Sequence, residues 1–337
     1  MKMKQHAEHF APPQASGEAI AAAQAEVNEV AVARRFALAV GPLLTYWPRR
    51  DLIDFYGKVA ELPVTTVTLG EVVCSRRHEM KLDDWLALAR DLAAAGKEVV
   101  LAMLALIESE AELRTMHRLA DQDEFLVEAN DAAALGRLAG RPFVIGPHVN
   151  VYSADALDEL AALGAVRWVP PVELPVEAMA AANPPRRAPA IDTEVFAFGR
   201  MPLAISARCF TARHNGVNRD ECGFRCIEHP DGLMLRTQEG EAFLALNGTQ
   251  TLSARLMCAL PERETLAAAG VRRLRLSPIS RRFDAVIDAY DRAFNHGADV
   301  GATVADLVAL DLPGALADGF LLRQAGGAWS QSRWKAA

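Results

Sequence analysis

From Phe36 onward, short apolar runs alternate with segments whose apolar residues recur every three or four positions. FALAVGPLL is followed by RRDLIDFYGKVAEL, TTVTLGEVV by KLDDWLALARDLAAAG, and KEVVLAMLALI by ESEAELRTMHRLA. The same rhythm continues through EFLVEAND with AAALGRLAG, RPFVIGPHVN with SADALDELAALG, and VRWVPPVEL with PVEAMAAAN. The short runs predict buried strands and the longer periodic segments predict amphipathic helices, so the chain reads βαβα. Gly96, Gly140 and Gly164 fall where those helices should stop, as C-capping glycines do.

TEVFAFGRMPLAIS makes a seventh strand, and VRRLRLSP before SRRFDAVIDAYDRAFNHG makes an eighth strand and its helix. Eight βα units predict a (β/α)8 TIM-barrel-like fold, whose usual size is roughly 250 residues. The excess length is expected in an insertion at about 203–260. There HPDG and NG separate the β-like runs GLMLRT, AFLALN and TQTLSARL, which predicts hairpins. A doubly wound sheet competes, but no Gly-x-Gly-x-x-Gly loop follows the first strand. Residues 1–34, rich in Ala, Gln, Glu and Pro, read as a disordered extension, and 35–337 as a single barrel domain.

Composition narrows the classes without choosing one. The chain has 337 residues, is 51% hydrophobic and carries a net charge of -7, so it can bury a large core and has no global basic field for nucleic acid. Its longest apolar run, Val99 to Ile107, is about half of the roughly 20 residues a membrane helix requires. The N-terminus lacks a continuous apolar core and a cleavage site, so a cytoplasmic location is expected. Five cysteines are too sparse for a disulfide scaffold.

Those cysteines carry the candidate chemistry. CFTARHNGVNRDECGFRC holds Cys209, Cys222 and Cys226 in a C-x12-C-x3-C spacing, and Cys74 follows the second strand. In a barrel, the ends of the second and seventh strands share one face, so remote loops can bring their sulfurs together. Thiolates select iron–sulfur clusters or zinc, and the absence of a C-x2-C pair speaks for the cluster over structural zinc. Unrelated buried thiols are the bland alternative. Arg76, Arg77, Arg208, Arg213, Arg219 and Arg225 lie nearby and either offset an anionic cluster or form a solvated face. Cys258, in LSARLMCALPE, reads as a small buried hydrophobe.

FGRMPLAISARCFTARHNGVNRDECGFRCIEHPDGLMLRT and the upstream LGEVVCSRR resemble the two cysteine motifs of the peptidase U32 superfamily, in particular its ubiquinone biosynthesis branch, UbiV. The resemblance runs from about Arg35 to the C-terminus and favours a barrel-like fold. It implies that Cys74, Cys209, Cys222 and Cys226 hold a [4Fe–4S] cluster. It further implies oxygen-independent hydroxylation of a quinone ring precursor, with a homologous UbiU-like subunit as heterodimer partner. Two alternatives stay open: a non-catalytic, cluster-bearing partner subunit, and a U32-type RNA-modification enzyme. Peptidase activity is not expected, because the chain shows neither a G-x-S-x-G elbow nor an H-E-x-x-H helix.

Polar residues gather at the predicted strand ends: Glu71, Glu128, Asn130, Asp131, His148, Asn150, Glu194 and Arg200. At a barrel mouth these can orient a ligand or move a proton, but Asn130 or Asp131, and Ser153, also suit helix caps. His148 and Asn150 both face the mouth if their strand extends that far. Glu194 and Arg200, six apart, share one side of an unbroken strand. Trp47, Leu321, Leu322, Trp329 and Trp334 either contact a quinone precursor or partner or dock on the barrel.

Overall fold

The protein is described by a computed structural model covering residues 35–330. The expected extension over 1–34, and Trp334, lie outside the described residues. Six βα units come first: β1 Ala37–Val40 with α1 Arg49–Glu61, β2 Thr66–Leu69 with α2 Leu82–Ala94, and β3 Glu98–Ala102 with α3 Glu110–Asp121. Next are β4 Leu126–Ala129 with α4 Ala132–Leu138, β5 Phe143–Ile145 with α5 Ala154–Leu163, and β6 Ala165–Trp168 with α6 Val176–Ala182. Then β7, Asp192–Ile205, runs far longer than the other barrel strands. It is followed by α7 Phe210–His214, β8 Leu233–Arg236, β9 Ala242–Asn247, β10 Gln250–Cys258 and α8 Arg263–Ala268. The eighth barrel strand is β11, Arg273–Leu276, followed by α9 Phe283–Asn295, α10 Val300–Ala309 and the short β12 Leu316–Ala317.

Strands β1 to β7 pair in sequence order, and β11 pairs in parallel with both β1 and β7. The sheet is therefore a closed barrel of eight parallel strands ringed by helices, the expected (β/α)8 class. The main core lies between barrel wall and helices, where Val67, Leu69, Val99 and Leu101 from the strands meet Tyr56, Trp85 and Leu88. Gly164 shows why the predicted caps work: it ends α5 at φ 116°, and a Cβ there would lie 2.4 Å from the Arg141 carbonyl oxygen.

The barrel interior is charged. Arg275 donates to Glu194 and Glu128, Arg167 to Glu98, and Arg273 to Asp192, Glu98 and Thr66. Burial works against the Glu98 carboxylate, but Arg167 and Arg273 outweigh it and hold it at about 2. Glu194 is likewise depressed against its burial by Arg275, Arg167 and Arg273. Such a lattice keeps its charges only because every member has an opposite partner.

The insertion grows out of the barrel wall. Beyond its pairing with β6 and β11, β7 continues upward and pairs antiparallel with β10, which pairs with β9, which pairs with β8. The C-terminal ends of the barrel strands and the insertion thus share one end of the molecule. Among the described residues, no helix is long and apolar enough to cross a membrane.

Candidate metal centre

The loop after β2 begins with Gly70, at φ 122°, where a Cβ would sit 2.5 Å from the Ala102 carbonyl oxygen. Only glycine lets the chain turn this tightly against β3. Glu71 then folds the loop on itself, its carboxylate accepting from the backbone N–H of Val73 (2.8 Å) and of Cys74 (2.9 Å) and from Arg77. Cys74 is buried at the centre of this turn.

The β9–β10 turn receives that loop. Asn247, fully buried, accepts at Oδ1 from Arg77 (2.7 Å) and from the Tyr46 N–H (3.1 Å), and donates through Nδ2 to the carbonyls of Cys226 and His229, both at 2.9 Å. Thr249 donates its hydroxyl to the Val73 carbonyl at 2.8 Å, one residue before Cys74. On the other side, the Gly248 N–H donates to Thr211, and the Phe210 N–H to the Gly248 carbonyl, both at 2.9 Å, one or two residues after Cys209. One hairpin turn therefore seats the Cys74 loop, the Cys209 segment and Cys226. The Cys222 segment is tied in by Arg76, which donates to the Arg219 carbonyl and to Asp220.

The four thiols act on one another. Burial pushes the Cys226 thiol up to about 11, and Cys209, Cys74 and Cys222 each add to that rise, while Arg77 opposes it. Burial also raises the Cys74 thiol, against the pull of the Arg76 backbone N–H, Arg77 and Arg219. Cys209 and Cys222 are half-buried, and the Cys209 sulfur accepts from the Ala212 N–H at 3.4 Å. The sulfurs share a neighbourhood without closing into a tight ligand set: among the described residues, no group of three or more His, Cys, Asp or Glu side chains is drawn in as a metal site. As a donor set, four soft thiols beside guanidinium groups suit an iron–sulfur cluster. Cys258 stands apart, fully buried against Tyr290, and burial pushes its thiol up to about 12.

The arginines divide by task. Arg77, with a side chain 2% exposed, holds the Leu44 carbonyl, Glu71 and Asn247, so it is a structural pin. Arg219 reaches Glu108 and the Ala207 carbonyl and lies beside Cys74, while Arg225 donates to Asn215. Arg208 and Arg213 are exposed and make no ion pair among the described residues, as a solvated face would.

Several strand-end residues serve the fold. Asp131 caps α4 by accepting from the Ala133 N–H, and Ser153 caps α5 by accepting from the Ala156 N–H. Asn130, wholly buried, donates to Glu128 and the Met103 carbonyl. Strand β5 stops at Ile145, because Pro147 opens a single 3-10 turn, so the condition for His148 and Asn150 to face the mouth together fails. Asn150 ends that turn exposed, at φ 61°. His148 stays near Glu128, Arg275 and Glu173, and crowding by packed atoms pulls its ring down to about 4.

Glu194 and Arg200 do not share a role either, since the β7 register against β11 slips by one residue after Phe196. Glu194 enters the barrel lattice. Arg200 instead donates to the carbonyls of Asp231, Ser253, Ala254 and Pro313, clamping β7 to the insertion and the C-terminal segment. Trp47 is buried and donates to the Pro230 carbonyl, Leu321 is buried, Leu322 is half-buried, and Trp329 packs on the main core, so these apolar side chains dock on the barrel.

Asn247 and Thr249 were not singled out by the sequence beyond the NG turn signal. Among solved structures, the chain is similar to phospho-2-dehydro-3-deoxyheptonate aldolase (DAHP synthase) from Thermotoga maritima, at 10% identity over 83% of this chain and 71% of that one, with a TM-score of 0.37. A likeness that shallow carries no argument about activity. The model of Peptidase family U32 matches residues 58–328, most of the described barrel and its insertion, and the chain belongs to that family.

Proposed function

We propose that the protein is a [4Fe–4S] protein of oxygen-independent ubiquinone biosynthesis, acting with a homologous UbiU-like subunit in hydroxylation of a quinone ring precursor. Cys74, Cys209, Cys222 and Cys226 would hold the cluster. The observation that carries this reading is the β9–β10 turn, which binds the Cys74 loop, the Cys209 segment and the Cys226 carbonyl at once. When bound, a cluster supplies one-electron transfer, and its lability to oxygen suits an anaerobic setting. The chain's own residues supply the frame: Glu71 orients the Cys74 backbone, Asn247 orients Cys226, and Arg77 and Arg219 bring positive charge to the thiols.

A second reading, a cluster-bearing subunit whose partner holds the catalytic groups, is favoured by the mouth itself. Glu128, Asn130, Glu194 and Arg200 are all buried and each makes internal bonds, which leaves few exposed polar groups at the strand ends for substrate. The two readings separate on whether the isolated chain hydroxylates a precursor or does so only with its partner.

The test begins with anaerobic isolation. Near-equal iron and acid-labile sulfide is the expected result; stoichiometric zinc without sulfide would sink the cluster. Joint replacement of Cys209 and Cys222 by Ala should abolish iron binding, and Cys258→Ala should leave it intact. A strain lacking the protein should make quinone normally in oxygen and fail without it. Unimpaired anaerobic quinone would remove the pathway assignment and turn attention to RNA modification.

A further inference from the structure

A cavity of about 320 Å³ opens between α2 and α3, against the outer face of β2 and β3. Its walls are apolar: Trp85 of α2, Leu101 and Met103 of β3 and its extension, Met116 and Leu119 of α3, and Met80 from the loop before α2. Small-molecule sites typically occupy about 300–1,000 Å³, with apolar walls and a few polar groups gathered at one place. This cavity sits at the low end of that range, the scale of a one-ring or two-ring compound. Three methionines and an indole suit an aromatic or unsaturated body, because thioethers are polarisable and adapt to flat surfaces.

The polar groups gather at the rim, on the loop that carries Cys74 and on the first turns of α3. Most of them are already spoken for. Glu71 binds Arg77 and the Cys74 backbone, while Glu112 accepts from the Ser75 hydroxyl and the Glu108 N–H. Besides the buried Arg77 Nε, two exposed groups remain: the His78 ring, which makes no side-chain hydrogen bond among the described residues and only edges onto Phe224, and Lys81, whose amine makes no ion pair there. Both are exposed and both can donate a hydrogen bond. The donors left over suit a head that accepts hydrogen bonds, such as a carboxylate.

We propose that this cavity binds an amphipathic small molecule: an aromatic or hydrocarbon body carrying one anionic head, with the body against Trp85 and Met116 and the head at His78 and Lys81. The site stands on the cavity and its rim and does not depend on any metal at Cys74. Calorimetric titration of the full chain with 4-butylbenzoate should show one site. The uncharged 4-butylbenzamide should bind about tenfold more weakly, the size of one charge-assisted hydrogen bond. Lys81→Gln should bring the acid down towards the amide and leave the amide unchanged. Met116→Trp, which fills the cavity, should abolish binding of both at an unaltered unfolding midpoint, and Leu119→Phe serves if that variant does not fold. The proposal is overturned if neither probe binds at millimolar concentration, if acid and amide bind equally to the natural chain, or if a folded cavity-filling variant still binds.

Discussion

The barrel interior and the seat of the cysteine loops are both buried polar assemblies, and they differ in what they leave over. Inside the barrel, Glu98, Glu128, Asp192 and Glu194 face Arg167, Arg273 and Arg275, and each carboxylate is bound by at least one guanidinium. Charge meets charge, with Arg167 Nε and Nη1 as donors that no hydrogen bond uses. At the β9–β10 turn the work is done largely by neutral groups, with Asn247, Thr249 and Thr211 satisfying backbone atoms of the loops they join. The thiols take little part in those bonds, which frees them for ligation. A lattice of paired charges stiffens a barrel; a seat built from amide and hydroxyl bonds holds loops while leaving their soft atoms available.

Breaking the lattice should have the largest effect. Arg275→Met leaves Glu128 and Glu194 buried without their main cation, and removing one partner of a buried pair costs about 3–5 kcal/mol. Urea denaturation should show a loss of that size or no folded protein. A loss under about 1 kcal/mol would mean that water reaches the interior and screens the lattice.

Breaking the seat should cost less globally and more locally. Asn247→Ala strands Arg77, the Tyr46 N–H and the carbonyls of Cys226 and His229, and a few unsatisfied buried groups cost on the order of 2–4 kcal/mol together. Hydrogen exchange should speed up at the Cys74 and Cys226 loops while β3 to β6 stay protected. Uniform acceleration across the barrel would show that the seat is part of the global core.

The smallest effect concerns acid. The His148 ring titrates at about 4 in the folded chain, against an ordinary 6.5, because burial disfavours its charged form. The unfolded chain therefore binds more protons between those values, so the contribution is complete above pH 6.5 and erodes as pH falls towards 4. Partial solvent access to the ring limits it to on the order of 1 kcal/mol. The unfolding midpoint of His148→Gln should change less across that window than that of the natural chain. Glu98 adds a separate loss at lower pH, beginning below its ordinary 4.5 and running to about 2, which His148→Gln leaves untouched. Parallel pH profiles for the two proteins down to pH 4 would remove His148 from the account.

What could be read ahead of the structure follows from what is local. Apolar runs of strand length separated by periodic helices, with capping residues such as Asp131, Ser153 and Gly164 in place, determine eight βα units, because each unit buries its own face against the next. The NG pair determines a hairpin for the same local reason. The cysteine spacing determined that three sulfurs lie close in the chain and that the fourth needs a barrel to reach them. Tertiary structure alone decided the rest. The one-residue slip in β7 sends Glu194 into the lattice and Arg200 out to the insertion, and no periodicity reveals a slip caused by pairing with a strand some eighty residues away. Asn247 became a hub because three distant segments converge on it, and the Arg76 and Arg77 side chains became pins because their partners lie 143 to 170 residues along the chain. Hydrogen bonds across such separations depend on where the fold places both partners, which residue type and local spacing do not encode.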